Sequence, residues 1–185
     1  NVILSDFLNY SQPKKNNNTI IDLTQLIQDV IILLKNKEDI SSKKQIVFEG
    51  TTDHLILNGD EEQIKQVVWN LCINALEAMS RGTLTLTLKE VFSFQSGEFQ
   101  ANHRGMVLEV QDEGCGIALD QISNIYDPFY SSKKNGVGLG LATVYQIVNR
   151  NKGVMDVKST VGKGTLFTVF LPDQDSVKPV PMPSH

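Results

Sequence analysis

Residues 83–88 read Thr-Leu-Thr-Leu-Thr-Leu, an unbroken alternation of polar and apolar side chains. Because successive side chains of a β-strand point to opposite faces of a sheet, this segment is predicted to be a half-buried strand. A helix is predicted just before it: Asp60 can cap it, Gln63 is a capping-box partner, and Gly82 is expected to end it. Its apolar face consists of Ile64, Val67, Val68, Leu71, Cys72, Ala75 and Met79.

The rest of the chain mixes the same two kinds of element. Further strands are predicted over 20–21, 45–49, 54–57, 105–110, 154–159 and 165–171, and further helices over 2–8, 23–34, 119–126 and 138–149. Residues 45–49 and 54–57 read as two strands around a turn, the stretch around 96–102 as a hairpin loop, and 127–135 as a loop. This order predicts an α/β fold, a two-layer sandwich with a mixed, mostly antiparallel sheet and helices on one face.

Composition excludes several classes of function. The chain has 185 residues, a net charge of −4 and 41% hydrophobic residues, which argues against nucleic acid as a partner. No apolar run approaches the ~18 residues of a membrane span. This piece is therefore expected to make no membrane contact and to lie in the cytoplasm. Because the chain starts at Asn1 without a methionine, it is expected to be a fragment of a longer protein, which could itself be membrane-anchored. Two cysteines without a CxxC spacing disfavour a zinc site.

A polar stripe runs beside the apolar face of the helix that Asp60 opens. Its members are Gln63, Gln66, Asn70, Asn74 and Glu77, at spacings of three and four residues. A solvated helix face would usually carry lysine and glutamate, whereas this stripe is rich in amides, and asparagine is a poor helix former. Because an amide oxygen is a suitable ligand for Mg²⁺, we favour a functional stripe over a solvated face.

Two glycine clusters follow. In the first, Asp112-Glu113-Gly114-Cys115-Gly116-Ile117, a strand delivers Asp112 to a tight turn, where its carboxylate could accept the amine of adenine; a plain acidic turn explains the pattern equally well. The second, Gly136-Val137-Gly138-Leu139-Gly140-Leu141, joins a loop to a helix and suits a triphosphate. It is neither a dinucleotide fingerprint nor a P-loop.

With Asp127-Pro128-Phe129-Tyr130 and Gly162-Lys163-Gly164-Thr165, these segments form five motifs in a fixed order. In that order the chain resembles the catalytic and ATP-binding domain of two-component sensor histidine kinases, in the Bergerat-fold ATPase superfamily. The resemblance covers about residues 18–172, and the segments 74–79 and 127–133 are most similar to the nitrogen-regulator type. It implies three parts: residues 1–17 as the end of a dimerisation helix and a linker, 18–172 as the catalytic domain, and 173–185 as a disordered tail.

The resemblance also implies roles for individual residues. Asn70, Asn74 and Lys133 would be catalytic, with Asn74 ligating Mg²⁺, Asn70 assisting at the metal or phosphates, and Lys133 on a phosphate. Asp112 would bind the adenine amine, Phe129 would anchor an ATP lid over 127–137, and Thr165 would lie near the adenine. The other implied nucleotide-binding residues are Glu77, Ala78, Gly114, Gly116, Ile117, Ser132, Gly136, Val137, Gly138, Leu139, Gly140 and Leu141.

By the same resemblance, the γ-phosphoryl group of ATP would be transferred to a histidine of a dimerisation domain, homodimeric in the parent, for relay to a response regulator. None of His54, His103 and His185 has the sequence context of that acceptor, so it is expected to lie outside this chain. Three alternatives stay open. The first is an ATPase of the gyrase, mismatch-repair or chaperone type, although those ATPases carry a water-activating glutamate where this chain has Asn70. The second is an anti-sigma-factor-like serine kinase, and the third is a domain that binds nucleotide or a partner without catalysis.

Overall fold

The computed structural model describes residues 17–37, 43–50, 54–97, 99–131 and 137–173, which form nine strands, three α-helices and one 3₁₀ helix. The strands are β1 (Asn18–Asp22), β2 (Lys44–Gly50), β3 (Ile56–Asp60), β4 (Gly82–Val91), β5 (Phe94–Ser96), β6 (Phe99–Ala101), β7 (Gly105–Asp112), β8 (Val154–Thr160) and β9 (Gly164–Pro172). The helices are α1 (Leu23–Lys35), α2 (Glu61–Ala78), α3 (Gly140–Arg150) and the 3₁₀ turn Ile122–Asn124.

A five-stranded mixed sheet forms one layer, in the order β2-β4-β7-β9-β8. Only the β2–β4 pair in this sheet is parallel, and the other neighbours are antiparallel. Leu84, Leu86 and Leu88 of β4 join the main core together with the apolar faces of the helices. On the opposite face, Val107 and Phe170 form a smaller cluster with Ala101. The predicted two-layer α/β fold is therefore confirmed.

The strongest sequence prediction, the helix capped by Asp60, is confirmed at its start. The Asp60 carboxylate accepts hydrogen bonds from the backbone N–H of Gln63 at 3.1 Å and from its side-chain amide at 3.1 Å. The end was predicted too late: α2 stops at Ala78, and Gly82 is instead the first residue of β4. Carbonyl groups of the last turn are taken by tertiary donors, since Lys44 Nζ binds Leu76 O and the N–H of Cys115 binds Ala78 O. These contacts satisfy groups that another turn of helix would have used.

Several other elements differ from the sequence predictions. The two strands expected around a turn are β2 and β3, but they belong to different sheets: β2 pairs with β4, and β3 pairs with β1. The predicted hairpin loop contains a small hairpin of its own, β5–β6. The short helix predicted over 119–126 is only the 3₁₀ turn Ile122–Asn124. Strand pairing depends on partners distant in sequence, which a local pattern does not specify.

The predictions for the ends of the chain lie largely outside the described residues. The apolar stripe over 2–8, interpreted as the end of a dimerisation helix, falls in 1–16, and the expected tail falls almost entirely in 174–185. The proposed boundaries at 17/18 and 172/173 stay predictions. None of the described helices has the length and apolar character needed to cross a membrane.

Candidate functional site

A cavity of about 550 Å³ opens between α2, the loop after β7 and the start of α3. The residues that line it come from segments far apart in sequence. They include Gln66, Asn70, Ile73, Asn74, Glu77 and Ala78 of α2, Asp112, Cys115, Gly116 and Ile117 after β7, Val137 to Leu141 before and in α3, and Thr165 of β9. The fold thus brings the asparagine stripe and both glycine clusters to one place.

One wall of the cavity is the polar stripe of α2, which faces the first residue of α3. Asn70 Nδ2 donates to the backbone carbonyl of Gly140, with 3.4 Å between nitrogen and oxygen. A Cβ added at Gly140 would lie 3.4 Å from Asn74 Nδ2. Both asparagine side chains are therefore close to the N-terminus of α3, where backbone N–H groups lack intrahelical partners. Leu139 precedes the helix and, as a leucine, has no side-chain oxygen to cap those groups.

Asp112, the last residue of β7, lies at the opposite wall of the cavity and is only 3% exposed. Its Oδ1 atom accepts hydrogen bonds from the backbone N–H of Gly114 at 2.7 Å and of Thr165 at 3.3 Å. A Cβ at Gly114 would lie 2.7 Å from that same oxygen, so any larger residue there would push against the carboxylate. The backbone thus fixes the carboxylate in the cavity wall.

The loop after Asp112 packs against the β8–β9 hairpin. Gly116 has φ +70°, and a Cβ there would lie 2.2 Å from the carbonyl oxygen of Thr160. The N–H of the next residue, Ile117, donates to Ser159 Oγ at 2.8 Å, and that hydroxyl is 2.9 Å from Thr165 Oγ1. Glycine at 116 is therefore required both by its backbone conformation and by the close approach of β8.

At the far end of the cavity, two short backbone segments meet. Gly138 has φ +72°, and its carbonyl accepts a hydrogen bond from the N–H of Phe129 at 3.0 Å. Phe129 itself has φ +69°, in the left-handed region, and its side chain is 62% exposed. Its backbone N–H holds it beside Gly138, whereas its ring does not line the cavity. Its predicted role as a lid anchor stays a prediction.

The structure places most of the sequence-predicted site residues in the cavity wall, but not all. Gly114 supports Asp112 from behind, and Phe129 lies beside Gly138. Ser132, Lys133 and Gly136 lie outside the described residues, so their predicted phosphate contacts stay predictions. Sequence reasoning missed Ser159, whose only signal is the hairpin register that pairs it with Thr165. It also missed the lining residues Cys115 and Gln121, and it named Tyr130 and Ser131 only as part of the predicted lid segment 127–137.

Comparison with known proteins identifies the family to which a domain with this fold and cavity belongs. Residues 59–175 match the family of histidine kinase-, DNA gyrase B- and HSP90-like ATPases, which covers more than half of the chain. The chain therefore belongs to this family.

Among curated proteins, the chain is similar to the signal transduction histidine-protein kinase AtoS of Escherichia coli, with 30% identity over 93% of this chain and 27% of AtoS. It is also similar to sporulation kinase C of Bacillus subtilis, with 33% identity over 92% of this chain and 38% of the kinase. The chain thus spans less than two fifths of the length of these relatives.

Among solved structures, the catalytic domain of histidine kinase ThkA is similar to this chain. It superposes with a TM-score of 0.68 and 26% identity, over 85% of this chain and 96% of that domain. ThkA in complex with the response regulator protein TrrA superposes with a TM-score of 0.73 and 24% identity, over 94% of this chain and 47% of that one. At 24% identity, the similarity to ThkA in this complex shows a shared fold only.

Proposed function

We propose that this chain is the catalytic domain of a sensor histidine kinase, which binds ATP with Mg²⁺ and transfers the γ-phosphoryl group to a histidine of a dimerisation domain outside this chain. The observation that carries the proposal is that one cavity has a fixed carboxylate, Asp112, at one wall and two amides, Asn70 and Asn74, beside a helix N-terminus at the other. These are the chemical groups that the two ends of ATP need.

The adenine would lie at the Asp112 wall. A carboxylate oxygen can accept a hydrogen bond from the exocyclic amine of adenine, whereas guanine presents a carbonyl oxygen there. The cavity volume of about 550 Å³ is within the usual 300–1,000 Å³ of small-molecule sites. Gly114 and Gly116 let the loop behind this wall pack closely against the backbone of Ala78 and Thr160.

The triphosphate would lie at the α3 end of the cavity. Unpartnered N–H groups of a helix N-terminus attract anions, and Gly138 and Gly140 let the phosphates approach the backbone. An amide oxygen of Asn74 suits Mg²⁺, which takes few protein ligands and retains phosphate oxygens and water. When bound, the metal would neutralise charge on the phosphates. By its place in the family motif, Lys133 would add a positive charge at a phosphate.

The acceptor nitrogen would attack the γ-phosphorus while the bond from that phosphorus to the bridging β-phosphate oxygen breaks. Because a neutral imidazole nitrogen is itself a nucleophile, this domain need not supply a strong base, and its residues contribute positioning and charge stabilisation. Asn70 supports this assignment, since an amide that donates to Gly140 O cannot activate water as a glutamate would. Slow ATP hydrolysis by the isolated chain is therefore expected.

The proposed partners follow from the relatives. The dimerisation domain that carries the acceptor histidine would be homodimeric in the parent protein, and a response regulator would take the phosphoryl group from it. The complex of ThkA with TrrA is the support for a response regulator as a partner. A cytoplasmic location of this domain is part of the same proposal.

The test is calorimetric titration of the 185-residue chain with ATP, with and without Mg²⁺. We expect magnesium-dependent binding that Asn74→Ala abolishes, because the variant lacks the proposed metal ligand. The matched control is Asn102→Ala, an exposed residue in the loop between β6 and β7, which should bind normally. Normal affinity of Asn74→Ala would defeat the metal-ligand assignment.

Catalysis needs a second assay. The chain should phosphorylate a supplied dimerisation domain with its acceptor histidine, and the product should be acid-labile, as a phosphohistidine is. Tight ATP binding without phosphotransfer would leave a domain that binds nucleotide only. A product stable in acid would instead favour a serine kinase.

A further inference from the structure

Ser159 of β8 joins three parts of the cavity wall through one hydroxyl group. Its Oγ lies 2.8 Å from the N–H nitrogen of Ile117, 3.0 Å from the carbonyl oxygen of Gly164 and 2.9 Å from Thr165 Oγ1. Ile117 belongs to the loop after Asp112, and Thr165 lies in the cavity wall and is only 4% exposed. A single serine therefore connects the first glycine cluster with the segment Gly162-Lys163-Gly164-Thr165.

These three contacts fix the direction of every hydrogen bond around Ser159. A hydroxyl has one proton to donate and two lone pairs that accept. The carbonyl of Gly164 can only accept, so the Ser159 proton must point to it. The N–H of Ile117 can only donate, so it uses one lone pair of Ser159. The contact with Thr165 is then satisfied in one way, with Thr165 Oγ1 donating its proton to the second lone pair.

With its proton committed to Ser159, the Thr165 hydroxyl has only acceptor capacity left. Asp112 Oδ1 lies in the same wall, and the backbone N–H of Thr165 donates to it at 3.3 Å. A carboxylate oxygen likewise accepts hydrogen bonds. The two side chains thus form a wall that favours ligand groups with protons to donate and disfavours ligand groups that accept.

We propose that Ser159 is a positioning residue for nucleotide selectivity. By accepting the Thr165 proton, Ser159 leaves only hydrogen-bond acceptors on these two side chains of the base-binding wall. The wall therefore favours a six-amino purine over a six-oxo purine. This inference rests on the proposed ATP-binding function and deepens it. At position 6 of the base, which would face this wall, adenine offers an amino group, whereas hypoxanthine and guanine offer a carbonyl oxygen and carry their proton on the neighbouring N1. An oxygen facing acceptors would stay unpaired in a buried site, which disfavours binding.

Removal of the Ser159 hydroxyl should relax this selectivity. In Ser159→Ala the Thr165 proton loses its acceptor and can rotate towards a ligand carbonyl. We expect the ratio of ATP affinity to inosine triphosphate affinity to fall roughly fivefold, which is the effect of about one neutral hydrogen bond. Inosine triphosphate is a sharper probe than GTP, because it lacks the amino group at position 2 by which GTP also differs from ATP.

The experiment is titration of the whole chain and its variants with the two nucleotides in Mg²⁺. Ser159→Thr keeps a hydroxyl in a strand position that tolerates a β-branched residue, and should restore the ratio. Ser123→Ala is the matched control, because Ser123 is exposed and its hydroxyl donates to the side chain of the neighbouring Asn124. Thr165→Val removes the acceptor itself, and addition of Ser159→Ala to it should change the ratio no further.

The outcomes separate the two levels of the proposal. A lower ratio in Ser159→Ala, restored in Ser159→Thr, supports the inference. If both affinities fall equally and the ratio is unchanged, Ser159 has a structural role only and the inference is wrong. If Ser159→Ala does not fold, an unchanged ratio in Thr165→Val would overturn it just as well. A wild-type chain that binds neither nucleotide would overturn the proposed function, and the inference with it.

Discussion

Gly138 offers a direct test of how closely the far end of the cavity is packed. Its φ of +72° is unfavourable for any residue with a Cβ. In Gly138→Ala the new methyl group would lie 2.5 Å from the backbone carbon of Phe129 and 2.5 Å from the carbonyl oxygen of Tyr130. Both are backbone atoms, so the contact cannot be relieved by rotation of a side chain.

The expected magnitude has two parts. Alanine in the left-handed region costs about 1–2 kcal/mol. Ordinary contact begins near 3.4 Å, so a methyl group at 2.5 Å must displace its neighbours by about 0.9 Å. Overpacking of this kind costs about 1–3 kcal/mol, which gives a total loss of about 2–5 kcal/mol for Gly138→Ala. The displacement moves the start of α3, so ATP affinity should fall at least about tenfold.

Gly162 provides the matched control. Its φ is +78°, almost the same as that of Gly138, but a Cβ there would meet no atom within 4 Å. Gly162→Ala should therefore lose only the conformational part, about 1–2 kcal/mol, and bind ATP normally. Urea unfolding measures the two stabilities, and calorimetric titration measures the two affinities. Equal losses in the two variants, with equal ATP affinity, would show that the contact at Gly138 is relieved without effect and would refute the argument.

Three further predictions concern other groups. Of the two cysteines, Cys115 is exposed in the cavity wall, whereas Cys72 is buried, and that burial raises the pKa of its thiol to about 12. A thiol reagent should therefore label only Cys115 in the folded chain, and ATP should slow that labelling. Labelling of both cysteines at equal rates would contradict this. Burial, with smaller effects of Asp156 and Tyr145, raises the pKa of Tyr126 to about 12. The folded state therefore favours the neutral phenol. Its contribution to stability is complete below the unfolded pKa near 10 and is lost as the pH rises towards 12. Tyr126→Phe should lose less stability than the wild type over that pH range, and an identical loss would disprove the argument. Asp60→Ala removes the cap of α2 and should cost about 1–2 kcal/mol in urea unfolding, and no loss would contradict the capping role.

Local patterns predicted the elements that build the site. The alternation over 83–88 and the cap at Asp60 both specify structure within a few residues, and β4 and α2 form where those signals lie. The end of α2 was overpredicted because buried Met79 continues the apolar face although it is no longer helical. What ends the helix there is contact with Lys44 and Cys115, which come from other parts of the chain.

The candidate site was predicted as a set of residue types rather than as a geometry. Spacing placed Asn70 and Asn74 on one face of a helix, but it did not show that Asn70 would bind the carbonyl of Gly140, 70 positions later. Ser159 was missed for a related reason. Its position opposite Thr165 follows from the register of β8 and β9, and the chain carries no local signal for its bonds to Ile117 and Gly164.

The hydrogen bond between Phe129 and Gly138 also bears on how this domain could be varied. It holds together the two ends of the segment that lies between them. For a segment with fixed ends, each doubling of length costs only about 0.6 kcal/mol of loop-closure entropy. Residues inserted between 131 and 137 should therefore add little loop-closure cost to the free energy of folding. Relatives could differ in the length of this segment, and a designer could lengthen it, while Asp112 and α3 keep their positions.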